Sequence, residues 1–438
     1  MTNIAEPIYR VFHSQIGSYY HGLQQSQWLS EAELQELQVR KLEKLLAHAA
    51  VQVPYYAEKN FPSDPDGTIR ILGRLPLLQR ADLQAGGEAL IARNLSRREM
   101  YTQVSGGTTG EPVRFFMGNA QRVISRAYEK RSDYEWTGNL PWSTRKAMLW
   151  GQPVRQKKSS VLQTISEWTQ RRKKFHLYQA SPTEMARQAR RLAAYRPGLI
   201  MGYSSILGDM AECILQHGIV VRPAAVLATA EMLWEDTKAV IEQAFQCRVY
   251  NRYACREFGV IASECPAGNL HINAERFIVE IVKDGQPAAK GDVGDIIVTD
   301  LDNFAFPFIR YKLGDIGALS PEPCSCGRKL PVLAKVTGRS GDYIIAPDRT
   351  RSMVTILTRV FMNLPKHTVR QTQLVQTRRD HLEIHIIPDE GYTPEFEAHI
   401  RQGILNTLRT SAIGLSFHYC DSIAPAPSGK RRFFVSKL

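Results

Sequence analysis

The sequence predicts an α/β protein: a large N-terminal region of mixed sheets and helices, followed by a small C-terminal α+β domain. Three observations carry this. From about 102 to 335, short apolar runs alternate with amphipathic helical stretches, the pattern of strands joined by crossover helices. Two β-rich stretches close that region. After Gly338-Arg339 the character changes to an alternating strand and one helix. The expected domains are therefore 1–338 and 339–438.

The first element is a helix. Ser30 followed by Glu33 is a capping-box pair, in which each side chain satisfies a backbone donor at the helix start. Leu34, Leu37, Leu42, Leu45, Leu46 and Ala49 then recur at three- and four-residue steps, forming one apolar stripe. Pro54 ends it, because proline lacks the donor that the next turn needs. Strands are expected at AMLW (147–150), GLIMGY (198–203), AAVLAT (224–229) and CRVYNRY (247–253), with helices near 183–195 and 235–246. FIVEIV (277–282) and DIIVTD (295–300) are β-rich, separated by the turn formers Lys283-Asp284-Gly285 and Gly291-Asp292. The last hundred or so residues carry the alternating strand HLEIHII (381–387), with His381 and His385 on a face read as solvated, and a helix near 395–409. No internal repeat or low-complexity tract stands out.

Bulk properties narrow the class. The 438 residues are 43% hydrophobic and 23% charged, as in globular proteins, and suffice for two or three domains. No run of about twenty apolar residues occurs, so no membrane span is expected. The start, MTNIAEPIYRVFHSQIGSYYHG, has polar breaks throughout and does not read as a secretion signal. Seven cysteines, an odd number, point to reduced thiols and a cytoplasmic setting. Basic residues outnumber acidic ones, 56 against 43, for a net charge of +13. Such a balance suits nucleic acid, anionic membrane surfaces or phosphate-bearing substrates. The clusters Arg171-Arg172-Lys173-Lys174 and Arg190-Arg191 read as solvated surface, whereas Lys430-Arg431-Arg432 reads as functional. Nucleic acid is suggested by net charge alone and is not the expected partner.

The strongest local signal is Val104-Ser105-Gly106-Gly107-Thr108-Thr109-Gly110-Glu111-Pro112. Glycines let a loop bring its backbone N–H groups close to an anion, and the interleaved hydroxyls add donors for phosphate oxygens. It is not a nucleotide-kinase P-loop, since Glu111 rather than lysine follows the last glycine and the glycine spacing is too short.

With this loop the sequence resembles the adenylate-forming superfamily of acyl-CoA synthetases, luciferases and peptide-synthetase adenylation domains. Five further segments follow in the family's order. Thr229-Ala230-Glu231 resembles its adenine-side loop, and Tyr253-Ala254-Cys255-Arg256-Glu257 its Tyr-Gly-x-Thr/Ser-Glu segment. Arg310-Tyr311-Lys312-Leu313-Gly314-Asp315 resembles the stretch whose aspartate holds the ribose. Gly338-Arg339-Ser340-Gly341-Asp342 stands at the interdomain hinge, and Pro427-Ser428-Gly429-Lys430 at the motif bearing the catalytic lysine. The region from Trp28 to Tyr56 and the ending GKRRFFVSKL look like the phenylacetate–CoA ligase-like branch, especially members associated with capsular polysaccharide clusters.

The resemblance implies a large adenylation domain and a small lid, with ATP and magnesium used to turn a small carboxylic acid into an acyl-adenylate. By it, Ser105, Gly106, Gly107, Thr108, Thr109 and Gly110 cradle the leaving phosphates, and Ala230, Glu231, Tyr253 and Arg256 lie around the nucleotide. Glu257 holds magnesium, Asp315 the ribose hydroxyls, and Arg339 helps fix the nucleotide. Lys430 bridges carboxylate and α-phosphate. Tyr203, Ser204 and Phe258 line the acyl pocket by family position, with plain core packing the equal alternative. The acceptor is left open between CoA, a carrier-protein thiol, an amine and a sugar hydroxyl. A nucleotide-binding homologue without catalysis is a further alternative. Nothing in the sequence fixes the oligomeric state, a dimer included.

Three positions depart from the family. Arg256 replaces a small hydroxyl residue, Gly341 takes the usual Asp/Lys hinge position, and Ile344-Ile345-Ala346-Pro347-Asp348 replaces the Lys/Gly-rich stretch of CoA ligases. Adenylation is thus better supported than CoA thioester formation. Finally, Cys324 and Cys326 form a Cys-x-Cys pair, while Cys265 and His271 follow Glu257. If the family fold brings these segments together, three thiolates and an imidazole suit a structural zinc; buried reduced cysteines are the alternative.

Overall fold

The computed structural model of the protein describes residues 14–59, 69–104, 113–150, 171–177, 180–339, 343–347, 351–354, 357, 360–361, 364–365, 368–408, 412–424 and 431–438. The chain divides into two compact units, Met1–Leu313 with Gly317–Val336, and Gly314–Ile316 with Thr337–Leu438. Among the described residues, no helix is long and apolar enough to cross a membrane.

The first unit opens with helices α1 (Ser14–Ser26) and α2 (Glu31–Gln52). Both halves of the capping box form at Ser30 and Glu33, and Leu34, Leu42, Leu45, Leu46 and Ala49 are buried. Pro54 both ends α2 and begins the short helix Pro54–Ala57, where its missing N–H costs nothing. Strands β1 (Met100–Val104) and β2 (Arg114–Gly118) pair as an antiparallel ribbon. Helix α3 (Ala120–Glu129) runs on into a π-helical turn, Lys130–Glu135.

A seven-stranded sheet follows, built from β3 (Lys146–Trp150), β4 (Arg172–His176), β5 (Leu199–Tyr203), β6 (Ala225–Thr229), β7 (Val249–Cys255), β8 (Gly259–Glu264) and β9 (Leu270–Ile272). Its order is β4-β3-β5-β6-β7-β8-β9. Strands β3 to β7 run parallel and the last two antiparallel. Every residue of β5 and β6 is buried, because parallel strands covered on both faces read as continuous apolar runs. The crossover helices are α4 (Pro182–Tyr195), α5 (Ser204–Gln216) and α6 (Glu235–Phe245), packed on Leu149, Ile200, Val226 and Val249. Gly202 is required at its place in β5: a Cβ there would sit 2.8 Å from the Leu149 carbonyl oxygen.

An ionic cluster lies under the other face of this sheet. Asp133, on the π-helical turn, accepts from Lys146 Nζ at 2.8 Å and from Arg252 Nη1 at 3.0 Å, with Asp133 and Lys146 fully buried. Burial pushes the Lys146 ammonium down to about 8, with Asp133 opposing the shift. Nearby, Arg131 is bound by Glu275 and Asn273. Two cations converging on one buried carboxylate make that carboxylate hard to replace. We expect Asp133→Asn to lower the unfolding free energy by about 3–5 kcal/mol, since it strands both partners. Denaturant melts of the variant and wild type check this.

A five-stranded sheet has the order β11-β10-β12-β13-β14, from β10 (Phe277–Lys283), β11 (Gln286–Pro287), β12 (Gly294–Asp300), β13 (Tyr311–Leu319) and β14 (Leu333–Arg339). The second unit contains a small hairpin, β15 (Tyr343–Ile345) with β16 (Arg351–Met353). It also has a four-stranded sheet, β19-β18-β17-β20, from β17 (Val369–Arg378), β18 (His381–Pro388), β19 (Gly414–Tyr419) and β20 (Phe434–Ser436). Helix α7 (Pro394–Leu408) buries Ile400, Ile404 and Leu408 in the core that contains Leu382, Ile384 and Ile386. The opposite face of β18 is only half solvated: His385 stacks on His418 across the parallel pair, with centroids 4.9 Å apart, and bonds Glu383.

Candidate active site

Three neighbouring strands of the seven-stranded sheet end at one edge, and their ends carry predicted residues. Strand β5 ends at Tyr203, and α5 starts at Ser204. Strand β6 ends at Thr229. Ala230 then takes a left-handed conformation, φ 69°, which an ordinary side chain adopts at a cost. That turn brings Glu231 back over α5, where its carboxylate accepts from the Ser205 amide at 3.0 Å. The Ser204 hydroxyl donates to the Glu231 carbonyl oxygen at 3.4 Å. A carboxylate on the first turn of a helix meets unpaired N–H groups and the positive end of the dipole. Thr229 donates to the Arg252 carbonyl oxygen, tying the β6 and β7 ends together.

Strand β7 reaches Tyr253 with an irregularity between Tyr253 and Ala254, then turns through Arg256, Glu257 and Phe258 into β8. Gly259, at φ +72°, is the residue that permits the tight turn. The exposed Arg256 donates from Nη1 to the Val104 carbonyl oxygen at 3.4 Å, at the root of the Ser/Thr/Gly-rich loop. Tyr203 is buried edge-on against Trp150, centroids 4.9 Å apart. Burial raises its phenol above the usual range; Arg256 opposes the shift and Glu231 adds to it. The carboxyl ends of adjacent parallel strands thus gather Tyr203, Ser204, Ala230, Glu231, Tyr253, Arg256 and Glu257. In open α/β sheets this is where ligands bind.

Other predicted residues are placed differently. Phe258 is wholly enclosed by Phe277, Phe308 and Tyr311, with centroids 5.1–6.0 Å away, inside the main core. Asp315 lies half-buried on β13, just after Gly314 at φ +80°. Arg339 is the last residue of β14. Ser105 to Gly110 and Lys430 lie outside the described residues.

The same fold recurs among known proteins. No protein-family profile matches the chain. It is 23% identical over 419 residues to Protein CapK of Staphylococcus aureus, covering 93% of this chain and 90% of CapK. To the phenylacetate-coenzyme A ligase of Escherichia coli it is 24% identical, covering 80% of this chain and 81% of that protein. A solved 2-hydroxyisobutyryl-CoA ligase, captured in the postadenylation state with R3-HIB-AMP, superposes with a TM-score of 0.74 at 18% identity, covering 94% and 91% of the two chains. The chain thus resembles CapK and the phenylacetate-coenzyme A ligases along most of its length, and it shares the fold of a solved acyl-CoA ligase.

A second constellation is set apart from these strand ends in sequence. Cys265, His271, Cys324 and Cys326 place their donor atoms within 4.8 Å of one another. Each pair of cysteine-bearing turns is shaped by a left-handed glycine. Gly268 (φ +90°) donates to the Cys265 carbonyl oxygen at 2.9 Å, and Gly327 (φ +85°) to that of Cys324 at 3.3 Å. The Cys265 and Cys324 sulfurs are 3.6 Å apart, and Cys326 Sγ is 3.3 Å from His271 Nε2. Tetrahedral zinc, with bonds of about 2.3 Å to sulfur and 2.0 Å to nitrogen, separates such donors by roughly 3.8 and 3.5 Å. His271 Nδ1 faces the Leu330 carbonyl oxygen at 2.8 Å, which fixes the proton there and leaves the Nε2 lone pair toward the sulfurs. Burial holds His271 below its ordinary value, so the ring is neutral at neutral pH. Burial alone would raise Cys326, but hydrogen bonds from Arg328 outweigh it and hold that thiol below its usual range.

Sequence reasoning missed what anchors this cluster. The Arg328 guanidinium lies 4.8 Å from the ring centroids of both Trp28 and Trp136, and its Nε donates to Gln27 Oε1 at 2.8 Å. The Trp136 indole donates to that same oxygen at 3.0 Å. The partners are hundreds of residues apart in the chain, and no local pattern announces them.

Proposed function

We propose that this chain activates a small carboxylic acid with ATP, forming an acyl-adenylate and releasing pyrophosphate, and then passes the acyl group to an acceptor. The observation that carries the reading is the convergence of Tyr203, Glu231, Tyr253, Arg256 and Glu257 at three adjacent strand ends, in a chain that shares the fold of an acyl-CoA ligase. Attack of a carboxylate oxygen on the α-phosphorus brings several anions together, so the chemistry rests on positioning and charge neutralisation. Residues 1–338 act as the adenylation domain and 339–438 as the lid that delivers Lys430.

The assigned roles follow the chemistry of each side chain. The loop 105–110 cradles the β- and γ-phosphates. Glu257 offers a hard carboxylate for magnesium, which bridges phosphate oxygens. Asp315 accepts from the ribose hydroxyls, and Arg339 steadies the nucleotide. Tyr203 and Ser204 stand at the acyl side, while Phe258, enclosed in the core, supports the turn from behind. A pyrophosphate-release assay with ATP, magnesium and a chemically broad acid panel tests the proposal. Release that depends on one class of acid supports it; ATP binding with no acid-dependent release would favour a homologue that binds nucleotide without catalysis.

Arg256 gives this site a cation where relatives carry a small hydroxyl. It is tethered to Val104, beside the phosphate-binding loop, and its guanidinium suits phosphate oxygens. We expect Arg256→Thr to lower the kcat/KM for ATP about tenfold, with the KM for the acid nearly unchanged. An unaltered ATP dependence would reduce Arg256 to a backbone tie.

The acceptor is a thiol, an amine or a hydroxyl. Ile344 and Ala346 are buried in the second unit's core, and the backbone of Ile345 is clamped by the buried Gln376 at 3.0 and 2.9 Å. A segment committed to packing in this way offers no solvent-facing lysine or glycine for CoA. Direct transfer without CoA is therefore kept as a second reading.

The Cys265/His271/Cys324/Cys326 cluster fits a structural zinc. Four donors of the right type converge within 4.8 Å, two of their separations are close to tetrahedral ones, and together they would fill all four positions of a closed site. Zinc would fasten the β8–β9 segment to the Cys324–Arg328 loop, and through Arg328 to Gln27 and Trp28 in the connection between α1 and α2.

A further inference from the structure

We propose that the amino-terminal edge of the seven-stranded sheet is a docking surface for an anionic, phosphate-bearing lipid bilayer. This surface is distinct from the strand ends that carry the proposed chemistry and does not depend on that reading.

The surface is built where three chain segments enter the sheet. Arg145 immediately precedes β3, Arg171 precedes β4, and Arg196 closes α4 just before β5. Their backbones are pinned together. The Arg171 carbonyl oxygen accepts both the Lys146 amide at 3.0 Å and the Tyr195 hydroxyl at 2.7 Å. The Arg145 carbonyl oxygen accepts the amides of Gly198 at 2.9 Å and Leu199 at 3.2 Å. Arg171 and Arg196 both take left-handed backbone conformations, φ 48° each, which turn the chain sharply at this edge. Around the single ring of Tyr195 the side chains then crowd: Arg145 Cζ stands 5.9 Å and Lys173 Nζ 5.2 Å from its centroid. Arg145, Arg171 and Arg196 are exposed, and so is Lys174 on the same strand as Lys173.

Charge is concentrated here. Among the described residues, no carboxylate forms an ion pair with Arg145, Arg171, Lys173 or Arg196, although Arg172 beside them is paired with Glu129. Like charges gathered on one edge repel one another, and the fold maintains them at a place where no catalytic residue is proposed. An anionic partner relieves that repulsion.

The form of the patch selects the partner. None of the large exposed hydrophobic side chains of the described residues lies in it, so it lacks the apolar anchors that dominate protein–protein hot spots. The Tyr195 ring already engages two cations, Arg145 and Lys173, and its hydroxyl is tied to the Arg171 carbonyl oxygen, so it is not presented as a stacking platform for a nucleobase. What remains is a set of guanidinium and ammonium groups that recognise phosphate by charge alone. Clusters of four to eight Lys/Arg suit an anionic bilayer, where each cation strengthens binding about fivefold.

The test is vesicle sedimentation of the full-length protein. Vesicles of phosphatidylglycerol with phosphatidylcholine are compared with pure phosphatidylcholine, at low and high salt. The comparison variant carries Arg145→Gln, Arg171→Gln, Lys173→Gln and Arg196→Gln. These side chains make none of the hydrogen bonds that pin the edge, which run through backbone atoms, and retained pyrophosphate release or an unchanged melting temperature reports an intact fold. A two-site variant, Lys173→Gln with Arg196→Gln, serves if the fourfold variant melts early. The expected result is binding to the anionic vesicles only, weakened by salt, and at least about a hundredfold weaker in the fourfold variant. Equal binding of wild type and an intact variant, or no preference of wild type for anionic over neutral vesicles, would overturn the proposal. So would binding to duplex DNA or RNA that outcompetes the vesicles and is lost with the same substitutions.

Discussion

Lys430→Ala is expected to lower acid-dependent pyrophosphate release by about 100- to 1,000-fold, while ATP affinity changes far less. The effect is one of charge at the moment of attack. A carboxylate approaching an α-phosphate meets like charge, and a lysine ammonium placed between the two relieves it only as the new P–O bond forms. Removing one such donor in comparable sites costs that much in rate. Lysine is suited to the task because a compact ammonium on a flexible stem carries its charge to the phosphate without demanding a fixed fork geometry. Single-turnover release at saturating ATP and acid measures the effect. A loss confined to KM for ATP would instead make Lys430 a binding residue.

Removal of the Cys/His cluster's metal should have the second largest effect. The purified protein is expected to carry one zinc per chain, and His271→Ala or Cys324→Ser to lose it. The melting temperature should then fall by roughly 10 °C, because the ligands are buried and the two loops they join lose their cross-link. Metal analysis and thermal melts measure both. Freely titrating thiols in a metal-free wild type of unchanged stability would leave the four residues as buried reduced side chains that happen to converge. The arrangement of His271 argues for the metal. Its Nδ1 is engaged by the Leu330 carbonyl oxygen, which leaves Nε2 facing three sulfurs with a lone pair that no proton occupies.

Much of the fold was legible because its signals are local. Strands β3, β5, β6 and β7 lie where short apolar runs pointed, and α4 and α6 match their predicted limits to within one residue. The Ser30–Glu33 cap is likewise a pattern spanning four residues. Strand β4 escaped notice because Arg172-Lys173-Lys174-Phe175-His176 has one buried residue and the composition of a solvated segment. It belongs to the sheet as an edge strand, held by its parallel pairing with β3. The π-helical turn at 130–135 was equally silent: its purpose is set by Lys146 and Arg252, of which the second is more than a hundred residues away.

The candidate site divides along the same line. Glu231, Tyr253 and Glu257 stand in short motifs and Tyr203 at a family position, and sheet order explains why positions so far apart meet: β5, β6 and β7 are neighbours. Arg328, Gln27 and Trp136 were not found, because a cation held between two indoles leaves no periodic trace. Phe258 follows the second of its two readings, plain core packing. A residue adjacent to a functional turn faces the core when the turn reverses direction, and here three aromatic rings enclose it.

The central claim is that a carboxylate oxygen becomes bonded to the α-phosphorus of ATP. Turnover of a carboxylic acid labelled with oxygen-18 in its carboxylate tests this directly, with the AMP produced examined by mass spectrometry. An acyl-adenylate leaves one labelled oxygen on the phosphate of AMP once the acyl group is transferred, and that is the predicted result. AMP free of label, or label appearing in inorganic phosphate alongside ADP, would contradict adenylation and point to a different activation of the acid.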